Sequence, residues 1–397
     1  MELSRRVQAI KPSPTLAVTA RAAMLKAHGR DIIGLGAGEP DFDTPQHIKD
    51  AAIGAINQGF TKYTAVDGTP SLKAAIIAKF KRDNGLDYTP KQILVSCGGK
   101  QSFFNLVQAF INPGDEVVIP APYWVSYPDI VILADGKPVI IEAGIEQGFK
   151  ITPAQLEAAI TPRTRLFVIN SPSNPTGAVY TGAELAALGE VLRKHPQVLI
   201  ATDDMYEHIR LNDVPFVNIL NTCPDLYDRT MVLNGVSKAY SMTGWRIGYA
   251  AGPEAILRAM TNVQSQSTSN PTSISQVAAE AALNGDQGCM APMLAAFKER
   301  HRLVVDGLNA IPGFKCVDSG GAFYAFPDAR AAIANLLARD IIEEGTDIAF
   351  SEYLLESADV AVVPGSAFGA EGYIRLSFAT SRDNLEKALA RLAAALA

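Results

Sequence analysis

The chain has 397 residues, too many for one ordinary core and enough for about two or three. With 48% apolar and 19% charged residues it has a globular balance, which excludes a disordered chain. A net charge of −6 without any Lys/Arg run argues against nucleic-acid binding, and no apolar stretch approaches the roughly 20 residues of a membrane helix.

In chain order, the first forty residues read as irregular: two arginines without a signal-peptide core behind them, then Pro12, Pro14 and the glycine-rich IIGLGAGEPDFDTP. A helix is expected next, capped by Thr44 with Pro45 at its first position and Ile48, Ala52, Ile53 and Ile56 as its apolar stripe. Another is expected from Pro70 to about Asn84, stopped by Gly85. From Gln92 to about Gly252, short apolar runs alternate with helical segments. The runs are ILVSC, EVVIP, PVIIE, RLFVIN, VLIATDD and MVLNGVS. The helical segments include Lys100–Phe110, Pro153–Ile160 and Thr181–Arg193. Near-continuous Val/Ile/Leu strands covered on both faces predict a parallel sheet in an α/β domain. After about Asn284 the texture shifts to a long helix, Pro292–Asn309, then AFYAF, VAVVP, YIRLSF and a last helix capped by Ser381. This predicts a smaller α+β domain, with the N-terminal arm packing against it. Cys97, Cys223, Cys289 and Cys316 form no CxxC pair and read as free thiols in a reducing cytoplasm, with neither a disulfide framework nor a metal site.

Ligands of open α/β sheets bind beyond the carboxyl ends of the strands, so the residues just past each run carry the argument. After ILVSC, Gly98-Gly99-Lys100 opens a helix, where backbone N–H groups and the helix dipole favour an anion; a plain tight turn reads as well. After RLFVIN, Asn174 and Pro175 lie in a turn that can present an amide, although simple turn chemistry is the better reading of this motif alone. After VLIAT come Asp203, Asp204 and Tyr206. A carboxylate there is costly unless it meets a cation, and either aspartate could instead cap a helix. After MVLNGV comes Lys238, whose partial desolvation would lower its pKa and suit Schiff-base chemistry, with Arg246 eight residues on as a phosphate fork. An anion site, a carboxylate, an amide and a lysine at one edge fit a phosphorylated aldehyde with a cationic ring, and pyridoxal phosphate is such a molecule.

SKAYSMTGWRIGY, SPSNPTG, GEPDFDTP, TKYTAVDGTP and YIRLSFATS together resemble the fold-type I, class I aminotransferases. KPSPTLAV and GGKQ are similar to the bacterial aspartate/prephenate aminotransferase branch. The resemblance covers essentially the whole chain. It implies a large domain built on a mostly parallel seven-stranded sheet flanked by helices, spanning 45–284. A small domain would span 285–397, with an arm, 1–44, packed on it.

The resemblance also implies roles. Lys238 would be the Schiff-base lysine of pyridoxal 5'-phosphate and the general base. Asp203 would pair with the ring nitrogen, Asn174 and Tyr206 with the ring hydroxyl, and Trp124 would stack on the ring. Gly99, Lys100 and Arg246 would hold the phosphate. Tyr63 would reach it from a partner subunit, implying a homodimer with shared active sites. Gly38 and Arg375, together with Trp124 and Asn174, would bind the substrate, Arg375 taking the α-carboxylate. Lys100 and Thr15 would bind the distal carboxylate of a dicarboxylic substrate, because SQSTSNPTS contains no arginine for it. Gly235 departs from relatives that carry a phosphate-binding serine three residues before the lysine.

The implied activity is ping-pong amino transfer between an amino acid, aspartate first, and 2-oxoglutarate. Prephenate, aromatic amino acids and a lyase reaction on the same fold stand as alternatives. A nicotinamide dehydrogenase fits poorly, because Gly34, Gly36 and Gly38 are misplaced for a dinucleotide fingerprint and Glu39-Pro40 follows. A transcriptional regulator on this fold would need an additional DNA-binding segment.

Overall fold

The computed structural model describes residues 2–12 and 14–397. Strand β1 (Ile33–Gly34) precedes a central sheet whose strands are β2 (Ile93–Ser96), β3 (Glu116–Ala121), β4 (Lys137–Glu142), β5 (Thr164–Asn170), β6 (Leu199–Asp203), β7 (Thr230–Gly235) and β8 (Gly248–Ala251). Their order across the sheet is β2-β8-β7-β6-β5-β3-β4. All neighbours run parallel except β8, which is antiparallel to both β2 and β7. The six apolar runs are therefore strands. The seventh, GYAA, has too few branched residues to stand out, yet it is buried throughout. Two apolar clusters, around Phe167 and Val232 and around Leu166 and Leu233, cover the two faces, as successive side chains on one strand require. β4 is the exception: it lies at the edge, and Ile140 remains 39% exposed.

The helix predicted after Thr44 spans Gln46–Asn57, but Thr44 does not cap it. The Thr44 hydroxyl donates to the Ser241 carbonyl at 2.7 Å and accepts from the Trp245 indole at 2.9 Å. Tertiary partners have thus taken the capping group. Half the predicted stripe also faces outward, with Ile53 and Ile56 more than 50% exposed beside Ile48 and Ala52 in the core. The helix from Pro70 ends as expected, with a π-type turn, Phe80–Asn84, before Gly85 at φ 67°.

The first forty residues are not irregular throughout, although 35–40 in the glycine-rich run carry no helix or strand. They form helices Arg5–Ala9, capped by the Ser4 hydroxyl, and Pro14–Ala27. Proline at the first position of the second helix suits its start, because its fixed φ fits the first turn and its missing N–H is not needed there. β1 then pairs in parallel with β10 (Val360–Ala361), and Arg30 bonds both Glu356 and Asp359. A separate three-stranded antiparallel sheet joins β11 (Val363–Pro364), β12 (Ile374–Ser377) and β9 (Tyr324–Ala325), in the order β11-β12-β9. The long helix Ala291–Asn309 and the last helix, Arg382–Leu396, bury Phe297, Leu308, Leu385 and Leu392 in the same apolar cluster as Tyr324 and Leu376.

Candidate active site

A cavity of about 410 Å³ opens at the carboxyl ends of the parallel strands and is closed from above by β9, β12 and the N-terminal arm. Eleven of the twelve predicted site residues line it: Thr15, Gly38, Gly99, Lys100, Trp124, Asn174, Asp203, Tyr206, Lys238, Arg246 and Arg375. Tyr63 does not. It stands on the surface, 91% exposed.

The floor follows from strand ends. Asp203 ends β6 and Asn170 ends β5, paired in register, and the Asn170 amide donates to the Asp203 carbonyl at 2.8 Å. Tyr127 donates its hydroxyl to the Asp203 carboxylate at 2.5 Å. Neither aspartate caps a helix. Asp204 points away from the cavity into the core, where Thr202 donates to it at 2.6 Å. Burial, then Glu207, pushes its carboxyl up to about 8. Burial also raises the Asp203 carboxyl, with Tyr127 and Lys238 opposing the shift. A ring N–H⁺ placed against Asp203 would offset that desolvation.

Lys238 follows β7 by three residues, with its ammonium donating to the Gly38 carbonyl. Burial, then the charges of Arg375 and Arg246, pulls it down to about 8. Near-neutral amines of this kind are nucleophilic and basic enough to attack an aldehyde and to take up a proton. At the other end, helix Gly99–Phe110 begins after Gly98 at φ 89° with no side-chain cap. Among the described residues, the N–H groups of Gly99 and Lys100 take no backbone acceptor. A Cβ on Gly98 would run into the Arg246 guanidinium, so glycine lets that cation close over the helix start. This cradle suits a phosphate dianion. At Gly235 a Cβ would meet the Ile247 carbonyl at 3.0 Å and Met205 at 3.1 Å, which leaves little room for a serine.

On the ceiling, Arg375 is 2% exposed. Its guanidinium donates to the Asn174 side-chain oxygen at 2.9 Å and the Gly36 carbonyl at 2.7 Å, while its Nε has no partner among the described residues. An orphaned buried N–H on a side chain that lines the cavity awaits an acceptor, and a carboxylate can take a guanidinium bidentately. Lys100 lies over the Trp124 ring at 5.2 Å, with its pKa lowered by burial and then by Arg246.

Asn170, Tyr127 and Tyr324 escaped the sequence reading. Asn170 had a usable signal, since it ends an apolar run. Tyr127 lies in a helix, Ser126–Leu133, and Tyr324 comes from a strand more than 80 residues beyond Lys238, so neither was marked by position.

Residues 30–392 match the profile of aminotransferase class I and II. The aspartate/prephenate aminotransferase of Nitrosomonas europaea is 70% identical over 396 residues, covering all of both chains. The aspartate aminotransferase of Geobacillus stearothermophilus is 55% identical, covering 99% of this chain and 98% of that one. Among solved structures, the aspartate aminotransferase of Rhizobium meliloti superimposes with a TM-score of 0.94 at 50% identity, covering 100% of this chain and 99% of that one. That of Thermus thermophilus with maleate gives 0.93 at 45%, covering all of both. The chain belongs to the class I and II aminotransferase family, on the fold-type I architecture. It is a pyridoxal phosphate-dependent aminotransferase, and the lysine, carboxylate and phosphate cradle described above fit that cofactor.

Proposed function

We propose that the amino donor is a dicarboxylic amino acid, aspartate first, and that 2-oxoglutarate is the acceptor in a ping-pong cycle. The observation that carries this reading is the pair of cations, Arg375 and Lys100, lining one cavity with Lys238. Two carboxylates on one substrate can be held there at once. The relative solved with maleate, a dicarboxylate, agrees with it.

When bound, pyridoxal phosphate supplies an electrophilic aldehyde and a cationic ring that accepts an electron pair from the substrate. Gly99 and Lys100 N–H groups and Arg246 hold its phosphate. Asp203 keeps a proton on the ring nitrogen by charge, itself held in place by Tyr127. Asn174 and Tyr206 face the ring hydroxyl, and Trp124 covers the ring face. Arg375 grips the α-carboxylate, with Gly38 beside it, and so turns the Cα–H bond toward Lys238. The Lys238 amine accepts the Cα proton and would return it to the carbon that carried the cofactor's aldehyde. Lys100, helped by Thr15, takes the second carboxylate.

The same reading makes the enzyme a cytoplasmic homodimer, Tyr63 of each subunit reaching its partner's phosphate. Its exposure supports this, as do Ile53, Ile56 and Phe60 exposed nearby in sequence. It also divides the chain into an arm (1–44), a large domain (45–284) and a small one (285–397). Lys100→Ser tests the substrate class. Loss of a charge-assisted hydrogen bond should lower kcat/KM for aspartate about ten- to a hundredfold and leave alanine nearly unchanged. Equal losses for both, or none, would refute it. Prephenate belongs in the same assay, because the relative at 70% identity is named for it and it too carries a second carboxylate.

A further inference from the structure

Tyr324 is fully buried, yet it lines the cavity. It sits on β9, beside Arg375 on β12, and touches three parts of the site. Its hydroxyl lies 2.9 Å from that of Tyr206. Its ring lies under the Arg375 guanidinium, 4.5 Å from the centroid, with Phe368 4.9 Å away on the same cation. A Cβ on Gly38 would approach its hydroxyl to 3.0 Å, so that glycine leaves the oxygen room. Its backbone is tied down as well, its carbonyl accepting from Ser319 at 3.1 Å.

We propose that Tyr324 is a positioning residue with two separable duties: its hydroxyl braces Tyr206, and its ring fixes the plane of Arg375. The inference rests on the assignment of Tyr206 to the cofactor's ring oxygen. A tyrosine hydroxyl has one proton. If Tyr206 donates its proton to that ring oxygen, its own oxygen is free to accept from Tyr324. Donation from Tyr324 polarises the Tyr206 hydroxyl and makes it the stronger donor. The charged and titratable groups facing Tyr206 are Asp203 and Tyr127 from the floor, Arg375 and Tyr324 from the ceiling, and Lys238 at 5.8 Å from its ring. Tyr324→Phe alters none of the charges among them.

The test compares Tyr206→Phe, Tyr324→Phe, the double variant and Tyr324→Leu in the holoenzyme. Its readouts are the absorbance titration of the lysine–cofactor linkage, the cofactor's dissociation constant by tryptophan fluorescence, and KM for alanine. A donor on the ring oxygen weakens that oxygen's hold on the linkage proton, so removing it raises the titration midpoint. Tyr206→Phe should raise it, Tyr324→Phe should raise it by about half to one pH unit, and the double variant should match Tyr206→Phe alone. Cofactor binding should weaken in the same order. KM for alanine should stay within about twofold in Tyr324→Phe, which keeps the ring, and rise about tenfold in Tyr324→Leu, which removes it. No shift in Tyr206→Phe would refute the Tyr206 assignment itself. A shift there with none in Tyr324→Phe, or a Tyr324→Phe shift that persists without the Tyr206 hydroxyl, would overturn the brace. An unchanged alanine KM in Tyr324→Leu would overturn the role toward Arg375.

Discussion

Lys79 is 1% exposed, and its ammonium is paired with Glu207, whose side chain is 3% exposed. It also donates to Asn84 at 2.8 Å, while Asn84 and Asn234 donate to Glu207 at 2.8 and 2.7 Å. Asp83, Glu207 and His208 bring their ligand atoms within 4.8 Å of one another, and Lys79 supplies a cation beside both acids. The Glu207 N–H closes a turn on the Asp204 carbonyl at 3.0 Å, directly after Asp203 and around Tyr206, so this pair anchors the active site from beneath. Lys79→Met keeps the aliphatic stem and opens no cavity, so it isolates the charge. Glu207 would keep two amide donors and the His208 ring 3.4 Å away but lose the ammonium, a change worth about 3–5 kcal/mol of stability. Adding Glu207→Gln removes the stranded charge and retains an oxygen for the amides, so the double variant should recover more than half of the loss. The Glu207 carboxyl is held below its usual range by Lys79 first among the groups that favour the anion. Without Lys79, burial raises it instead, so the penalty in Lys79→Met should shrink as pH falls and Glu207 protonates. The assay is urea unfolding of each variant, followed by circular dichroism at fixed protein concentration and two pH values. A loss under about 1 kcal/mol in Lys79→Met, or a double variant as unstable as the summed singles, would refute the reasoning.

Lys238→Ala should abolish turnover and leave a folded protein, and borohydride reduction of the wild type should label Lys238 and no other lysine. With that ammonium pulled down to about 8, loading of cofactor-free protein with pyridoxal phosphate should speed up as pH rises toward 8 and level off above it, as stopped-flow absorbance would show. Asp203→Asn should bind the cofactor but lose activity heavily, since an amide holds no proton on the ring nitrogen by charge; near-native turnover would remove the role from Asp203. Mixing Lys238→Ala with Tyr63→Ala subunits should change activity with their ratio, and sedimentation showing a fully active monomer would refute the shared site.

Six of the seven central strands were legible as apolar runs, because strands inside a covered sheet carry apolar side chains on both faces, and the candidate chemistry because Asp203 ends one such strand while Asn174 and Lys238 follow others. The helix starts at Gly99, Thr181 and Ser381 were legible for a local reason: glycine, proline and hydroxyl side chains act on the backbone within a few residues. Thr44 shows the limit of that logic. Its hydroxyl had two possible uses, and only the arrival of Trp245 and Ser241, 201 and 197 residues away, selected one. Ile53 and Ile56 matched the helical period, but the period cannot say how wide a face the rest of the molecule covers. Asp203 and Asp204 are neighbours with similar local context, yet one faces the cavity and the other Thr202 and Glu207, because the alternation of sides along β6 continues one residue past its end, where the Asp204 N–H still bonds the Leu233 carbonyl. Tyr127 and Tyr324 carried no local mark at all. Their place beside Asp203 and Tyr206 comes from packing between elements far apart in the chain, and contacts of that kind exist only once the sheet and its covering strands have come together.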